Sequence, residues 1–593
     1  MKFKIQNSKF KIKGKLDTEK LIKVLLANRD VQTKKEKEEF LDPKLETVTA
    51  RRVGIDSRNL KKALARIELA INNKEQIVVF GDYDVDGICG SAILWETLNS
   101  LGAKVMPYIP HRIGEGYGLS VTGIENVILN LFQDPKHESK EMLKQVQHDK
   151  KRGLIITVDN GIVANKAVDF AKNEGIDVII TDHHVAPNPS TGSGLPNAFS
   201  IVHTTKLCGA GVAWILSNVI LNSFQDPQQN SKEMLKQVQH DIERDKHLEL
   251  VALATVADLV PLKGANRTLL KFGLQQLRKT KRMGLLELFK EARLAKDSIG
   301  VYEIGHMIAP RLNAMGRLEY AMDSLRLICT NNQKRAENLA RLLGNTNKER
   351  QDLTLQTVLH AKQVIRDKKQ EIRKLLFISH ESYEQGIIGL VAGKLADEFY
   401  RPSIVVSIGE KTSRASARSI SGFNIIEFIR EYSSLMLNAG GHPMAAGFTV
   451  ETAKLLELQK VLEKKADTVI KKDLLTRSLK IDCELPLSFV DLNLYKALQK
   501  LAPFGMGNPE PTFLSKKVLI DDMRLVGAEN SHLKFRFKIH DLGFTIDGIG
   551  FGMGDKSSEI DIGDKVDIVY TIDENEWNGE KRLQLKVKDI KKI

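Results

Sequence analysis

Four short stretches constrain this chain more than its composition does: FGDYDVDGICG (80–90), TVDNGI (157–162), TDHH (181–184) and ATVADLVPL (254–262). Each sets aspartate or histidine directly behind a run of β-branched or aliphatic residues. That is the sequence form of a strand whose C-terminal end carries a polar tip. If such tips meet at one sheet edge, they gather five or more carboxylates and two imidazoles. A protein rarely tolerates that much buried like charge without a cation. The expectation is a chain that holds divalent metal and uses it on phosphate.

The 593 residues are too many for one hydrophobic core, so three or four domains are expected. No run of about 18 apolar residues appears, so no membrane span is expected. The first residues, MKFKIQNSKFKIKGK, are basic but lack the apolar core of a secretory signal. Cys89, Cys208, Cys329 and Cys483 lie far apart and form no CxxC pair. This argues against structural zinc and a disulfide framework, and fits a reducing cytoplasm. Lys and Arg total 89 against 75 Asp and Glu, a net charge of +14 that favours a polyanionic partner.

Residues 1–45 read as a small N-terminal helical segment. From 46 to 330, the aliphatic runs QIVVF (76–80), AKVMPYI (103–109), GLIITV (153–158) and DVIIT (177–181) alternate with helical patterns. This predicts βαβ units around a mostly parallel sheet, whose sites form at the carboxyl ends of the strands. Residues 331–372 predict a long connecting helix, with Leu339, Leu342, Leu343 and Leu353 near helical spacing. A second α/β domain is expected over 373–465, including the glycine-rich NAGGHPMAAGF (438–448). The period of two in HLKFRFKI, FTIDGIGF and KVDIVYTID predicts a small antiparallel β-barrel over 475–593.

One stretch occurs twice. Residues 126–149 recur at 218–241 with 20 of 24 positions identical. Architectural repeats are tandem and divergent. Two isolated near-identical copies instead read as inserted elements, polar and helix-prone, in surface loops that tolerate them.

In DYDVDG the carboxylates of Asp82, Asp84 and Asp86 repel one another unless a cation lies between them. Gly87 is expected to let the backbone turn into a helix there. Asp159 follows LIITV, and His183 and His184 follow VIITD. Asp258 is an acid in an otherwise apolar run, so it needs a metal or an ionic partner. Mixed carboxylate and imidazole donors suit Mn²⁺, with Mg²⁺ also accommodated. Two such ions about 3.5–4 Å apart would activate water and stabilise the leaving oxygen of a phosphodiester.

DYDVDG, VDNG, DHH and VAD, in this order, resemble the DHH phosphoesterase superfamily. PHRIGEGYGL (110–119), LCGAGVAW (207–214), IAPRLNAMGRL (308–318), NTNKERQ (345–351), GIIGLVAGKLA (386–396), SARS (416–419), GGHPMAAG (440–447) and LAPFGMGNPEPTF (501–513) are similar to the RecJ family of single-stranded-DNA-specific 5′→3′ exonucleases. The likeness covers roughly 20–593 apart from the two insertions. It implies an α/β chain: a parallel-sheet DHH domain, the connecting helix, a DHHA1 domain and a C-terminal OB barrel. It departs at His111, where asparagine is expected, and at Tyr383, where tryptophan is expected.

The resemblance implies metal ligation by Asp82, Asp84, Asp86, Asp159, His183 and Asp258, with His184 beside the reacting phosphate. It places Arg112, Ser416 and Arg418 at a terminal 5′-phosphate. Arg311, Asn313, Arg317 and Gln351 would lie along the strand near the scissile bond, Arg311 with a catalytic part, and His442 would contact phosphate in the cleft. Phe535, Phe537, Phe551 or Trp577 would offer stacking on bases in the barrel, with most of the four expected in its core instead. Single-stranded DNA is the implied partner, with a single-strand-binding protein and a helicase as candidate protein partners in DNA repair and recombination. No dimerisation heptad is present, so a monomer is expected. The rival readings are a DHH phosphodiesterase for short oligonucleotides or cyclic dinucleotides, and a non-catalytic DNA-binding relative.

Overall fold

Short, almost wholly apolar strands demand a sheet covered on both faces, and the first sheet of this protein is of that kind. In the computed structural model, which describes residues 2–5, 16–112, 114–116, 118–132, 153–186, 194–225, 246–367, 373–539, 544–577 and 580–593, the chain forms two units. One spans Lys44–Lys471; the other combines Met1–Pro43 with Lys472–Ile593.

The Lys44–Lys471 unit begins with five parallel strands. Their order across the sheet is Val105–Tyr108, Gln76–Gly81, Gly153–Val158, Ile176–Asp182, Ser200–His203. The second strand in sequence flanks the first on one side and the third flanks it on the other. The chain therefore reverses its winding between Gln76–Gly81 and Gly153–Val158, and a doubly wound sheet opens a crevice at the carboxyl ends of the strands there. Helix Val85–Ser100 and helix Leu248–Ala257 are apolar on nearly every side and buried, the first against this sheet and the second against the first helix. Helix Gln333–Asp367 runs 35 residues along the charged stretch. It leads to a second sheet, ordered Asn438–His442, Ala445–Glu451, Thr412–Arg418, Ser403–Ser407, Leu376–His380. Only the last pair is parallel.

In the other unit, strand Phe513–Val526 pairs with both His532–Lys538 and Lys565–Trp577. Thr545–Gly550 and Glu580–Lys592 complete a closed five-stranded barrel, which leaves no sheet edge unpaired. The outer strand residues of His532–Lys538 are polar and the inner ones apolar, so Phe535 and Phe537 are fully buried and stack on each other in the core. They are among the aromatics that belong to the core and cannot serve as base platforms. Phe551 is exposed and meets His532 edge to face.

The N-terminal segment belongs to this barrel unit and includes a strand as well as helices. Lys2–Ile5 pairs in parallel with Ser478–Ile481, and Leu21, Leu25 and Leu26 pack into the barrel's core. The helix Thr18–Ala27 is capped by Asp17. Beyond it, buried Arg29 donates to Asp482 at 3.1 Å, Asn508 at 2.9 Å and the carbonyl of Pro509 at 2.6 Å. Arg29→Ala leaves Asp482 buried without its cation. It is expected to lower the unit's stability by about 3–5 kcal/mol, read as a lower urea midpoint; an unchanged midpoint would exclude the pair as a structural tie.

The first copy of the repeat begins in helix Val121–Val127 and its continuation Ile128–Phe132, and the second begins within helix Gly209–Gln225. The SKEMLKQVQ segments of both lie outside the described residues. Among the described residues, no helix is long and apolar enough to cross a membrane.

Candidate metal centre and cleft

Gly81 lies opposite Val158 in the parallel register, so Asp82 and Asp159 leave the sheet side by side at the crevice. Asp84 is the N-cap of helix Val85–Ser100 and accepts from the amides of Asp86 and Gly87. Asp86 lies in the first turn, so DYDVDG is a strand end passing into a helix and not one extended segment. Gly87 is needed for closeness, not for a turn: a Cβ there would fall 2.5 Å from the backbone of Asp82. Asp86 accepts from the amides of Gly209 and Ala210, at 2.6 and 2.7 Å, where helix Gly209–Gln225 begins. A Cβ on Gly209 would meet the Asp159 side chain at 2.6 Å. Asp258 is at the opposite kind of terminus, the C-cap of helix Leu248–Ala257, where the helix dipole is unfavourable to a carboxylate.

His183 Nε2 stands 3.0 Å from Asp159, 3.6 Å from Asp86 and 3.6 Å from Asp258. His184 Nδ1 lies 3.9 Å from Asp159. Three donor groups are close enough to share an ion: Asp159–His183–His184, Asp86–His183–Asp258 and Asp82–Asp84–Asp159. Asp159 Oδ1 and His183 Nε2 are both buried and lack a hydrogen-bond partner. Burial first, then neighbouring aspartates, push Asp82, Asp84 and Asp159 upward, and Asp258 up to about 8. Burial lowers His183, which favours the neutral imidazole a metal requires. Orphaned donors, mutual repulsion and a neutral imidazole together fit a divalent cation. Asp159 also holds φ at +63°, a left-handed conformation unusual outside glycine and asparagine.

Asp182, absent from the expected site, orders the histidines. Its Oδ1 accepts from His184 Nδ1 at 2.8 Å and from the amides of His183 and His184, and its Oδ2 accepts from Ile162. Against the desolvation that would lower it, this carboxylate raises His184 to about 9. The cue was in TDHH itself: an aspartate two residues before a histidine can reach its ring and its amide.

A cavity of about 550 Å³ extends from Asp82 and Asp84 to the second sheet, with Arg112, Asn313, Arg317, Ser416 and Arg418 on its walls. Arg112 lies over the Tyr83 ring at 5.0 Å. Asn313 accepts from the amide of Val85 at 3.0 Å, so it braces the helix that carries Asp86. Arg317 donates to the carbonyl of Gly386; burial, then the charges of Arg112, Arg350 and Arg418, lowers it to about 10. No carboxylate pairs with these four arginines among the described residues, and Arg350 Nε is buried without a partner. Arg350 was not singled out from the sequence. Ser416 and Arg418 lie beside Gly389 in the first turn of helix Ile388–Phe399, where backbone amides favour an anion. His442 stacks on His184 with ring centroids 6.0 Å apart. Arg311 instead pairs with Glu291, and Gln351 is exposed on the long helix; neither lines the cavity.

Both departures are accommodated locally. His111 Nδ1 accepts from the Gly114 amide, as an asparagine side chain would in such a turn. Tyr383 is buried with its hydroxyl 2.8 Å from His360.

A doubly wound sheet with carboxylates and imidazoles at its switch point defines a DHH-type, metal-dependent phosphoesterase. The DHH family N-terminal domain matches residues 76–255, the DHHA1 domain 372–469 and the RecJ OB domain 481–589. The single-stranded-DNA-specific exonuclease RecJ of Bacillus subtilis is 33% identical over 594 residues, covering 98% of this chain and 67% of that protein. The Escherichia coli protein of the same name is 30% identical, covering 90% of each chain. This chain belongs to the RecJ family. The crystal structure of RecJ from Thermus thermophilus in complex with Mn²⁺ has a TM-score of 0.76 at 26% identity, covering 96% of this chain and 75% of that one. The same Thermus protein has also been solved with Mg²⁺.

Proposed function

We propose that this protein is a metal-dependent exonuclease that degrades single-stranded DNA from its 5′ end to mononucleotides. The observation that carries this reading is one cavity with two chemistries: Asp82 and Asp84 of the carboxylate–imidazole cluster at one end, and arginines without carboxylate partners among the described residues at the other. The first suits a reacting phosphodiester, the second a terminal phosphate gripped by planar guanidinium forks.

Asp82, Asp84, Asp86, Asp159, His183 and Asp258 would hold Mn²⁺ or Mg²⁺. When bound, a pair of such ions supplies an activated water and neutralises the departing oxygen. The protein's own groups do the rest. Arg112, Ser416 and Arg418 seat the terminal phosphate and so set the first phosphodiester at the cluster. His184, held by Asp182 and flanked by His442, offers a charged N–H to that phosphate. Arg317 and Arg350 offset negative charge as it develops, while Asn313 keeps the Asp84–Asp86 turn in place. Arg311 and Gln351 are assigned to the bound strand outside the cavity. The OB barrel adds a surface for single-stranded nucleic acid. That domain favours a strand over a dinucleotide, which needs no extra binding module. The setting we assign is DNA repair and recombination in the cytoplasm, the protein acting as a monomer alongside a single-strand-binding protein and a helicase.

End-labelled oligonucleotides test the reading. A 5′-phosphorylated single strand is expected to shorten from its 5′ end with Mn²⁺ or Mg²⁺, to persist in chelator, and to lose affinity steeply as salt rises. Duplex digested as fast as single strand, digestion from the 3′ end, or a preference for dinucleotides would overturn it.

A further inference from the structure

The cavity continues past the residues assigned to the terminal phosphate. Three cross-strand rows cross the second sheet there, and Arg418, Ser416, Gly447 and the whole of the third row line the cavity. The first joins His442, Ala445 and Arg418; the second Gly440, Gly447 and Ser416; the third Asn438, Thr449 and Arg414. The first row touches the metal centre through His442, which stacks on His184. The middle row holds two glycines, of which Gly447 lines the cavity without a side chain to fill it. The third row recedes from the scissile position, yet Asn438, Thr449 and Arg414 all line the same cavity as Asp82. Successive rows are two residues apart, about 6.7 Å. Arg414 is half-buried, its backbone lies in the sheet opposite Thr449 and Ser407, and its guanidinium has no carboxylate partner among the described residues. Nothing in the degradation of a 5′-monophosphorylated strand uses this row.

We propose that Arg414, Thr449 and Asn438 form a second phosphate station that accepts the β- and γ-phosphates of a 5′-triphosphorylated strand. The assignment rests on the 5′-end reading above. With the α-phosphate at Ser416 and Arg418, a group in the third row lies on the far side from the metal centre. It is therefore upstream of the terminal phosphate, where only a polyphosphate or an extra nucleotide can lie. The donors suit phosphate: a guanidinium fork, a hydroxyl and an amide. Gly447, in the row between the first and third, puts no side chain in the way of a linear chain of phosphates. Chemistry at the metal centre is unchanged. Water adds to the phosphorus of the second nucleotide and the P–O3′ bond breaks. The proton from water ends on the departing 3′-oxygen, and the first nucleotide leaves as a nucleoside 5′-triphosphate.

Single strands bearing a 5′-monophosphate or a 5′-triphosphate, otherwise identical, provide the test. The wild-type protein should degrade both and release a nucleoside triphosphate as the first product of the second. Arg414→Gln should lower kcat/KM on the triphosphorylated strand by about 10- to 100-fold, the loss of a charge-assisted contact, while leaving the monophosphorylated strand within about twofold. Thr449→Val should act in the same direction and less strongly. The proposal falls if the triphosphorylated strand is refused, if its first product is a dinucleotide, or if Arg414→Gln slows both strands equally. Failure of the monophosphorylated strand to shorten from its 5′ end would remove the underlying reading as well; refusal of the triphosphate alone would remove only this station.

Discussion

Asp159→Asn is expected to cost at least about 10³-fold in kcat/KM, about 4 kcal/mol of transition-state stabilisation, while making the metal-free protein more stable. Asparagine keeps the volume and tolerates the +63° φ of this position, so the change removes charge and little else. Asp159 belongs to two of the three candidate ion-sharing groups, so its loss should disrupt metal binding throughout the centre. The stability gain follows from the same geometry: without metal, the buried carboxylate is repelled by Asp82, Asp84, Asp86 and Asp258.

The pH dependence has a defined sign. Asp82, Asp84 and Asp159 are held above their unfolded value of about 3.9, with Asp258 at about 8. The folded state thus carries extra protons, and their stabilising contribution, complete below about pH 4, is lost as pH rises towards about 8. In chelator, the melting temperature should fall across that window. Added Mn²⁺ should stabilise more strongly at the alkaline end, because the ligands must be deprotonated to bind it. Asp159→Asn should flatten both trends. Melting curves across pH with and without chelator decide the matter; an unchanged slope in the variant would place its origin elsewhere.

Asp182→Asn should lower kcat by about 10- to 100-fold, the usual cost of losing the group that orients a histidine at a metal site, with KM changed far less. The carboxylate accepts from His184 Nδ1 and from three backbone amides. An amide can replace only some of these bonds and lacks the charge that favours the imidazolium. With Asp182, His184 stays protonated to about 9. The alkaline limb of the pH–rate profile should therefore move to lower pH in the variant. A uniform loss of activity with an unmoved alkaline limb would show that Asp182 serves the fold and not the charge on His184.

Much of the centre was legible from local pattern. Aliphatic runs ending in Asp82, Asp159 and His183 predicted strand ends, and burial of like charges predicted metal. Alternation in HLKFRFKI foretold a barrel strand, and its period of two puts Phe535 and Phe537 on one face, the inner one. Less legible were contacts between residues far apart in sequence. The amides of Gly209 and Ala210 secure Asp86 across more than a hundred residues. Arg350 and Arg311 are both helical arginines in basic stretches; only the fold pairs Arg311 with Glu291 and leaves Arg350 beside Arg317. Strand Lys2–Ile5 has no local sign of its partner at Ser478–Ile481.

The sequence by itself determined the kind of chemistry: carboxylates and imidazoles behind apolar runs need a cation wherever they meet, because burying like charge is costly whatever the topology. Tertiary structure alone decided that they meet. The Gly81–Val158 register and the reversal of winding at that point put Asp82 beside Asp159. The second sheet brings Arg418 and His442 to the same cavity. Register and strand order are set by packing summed over the whole core, so no short stretch of the chain could reveal them.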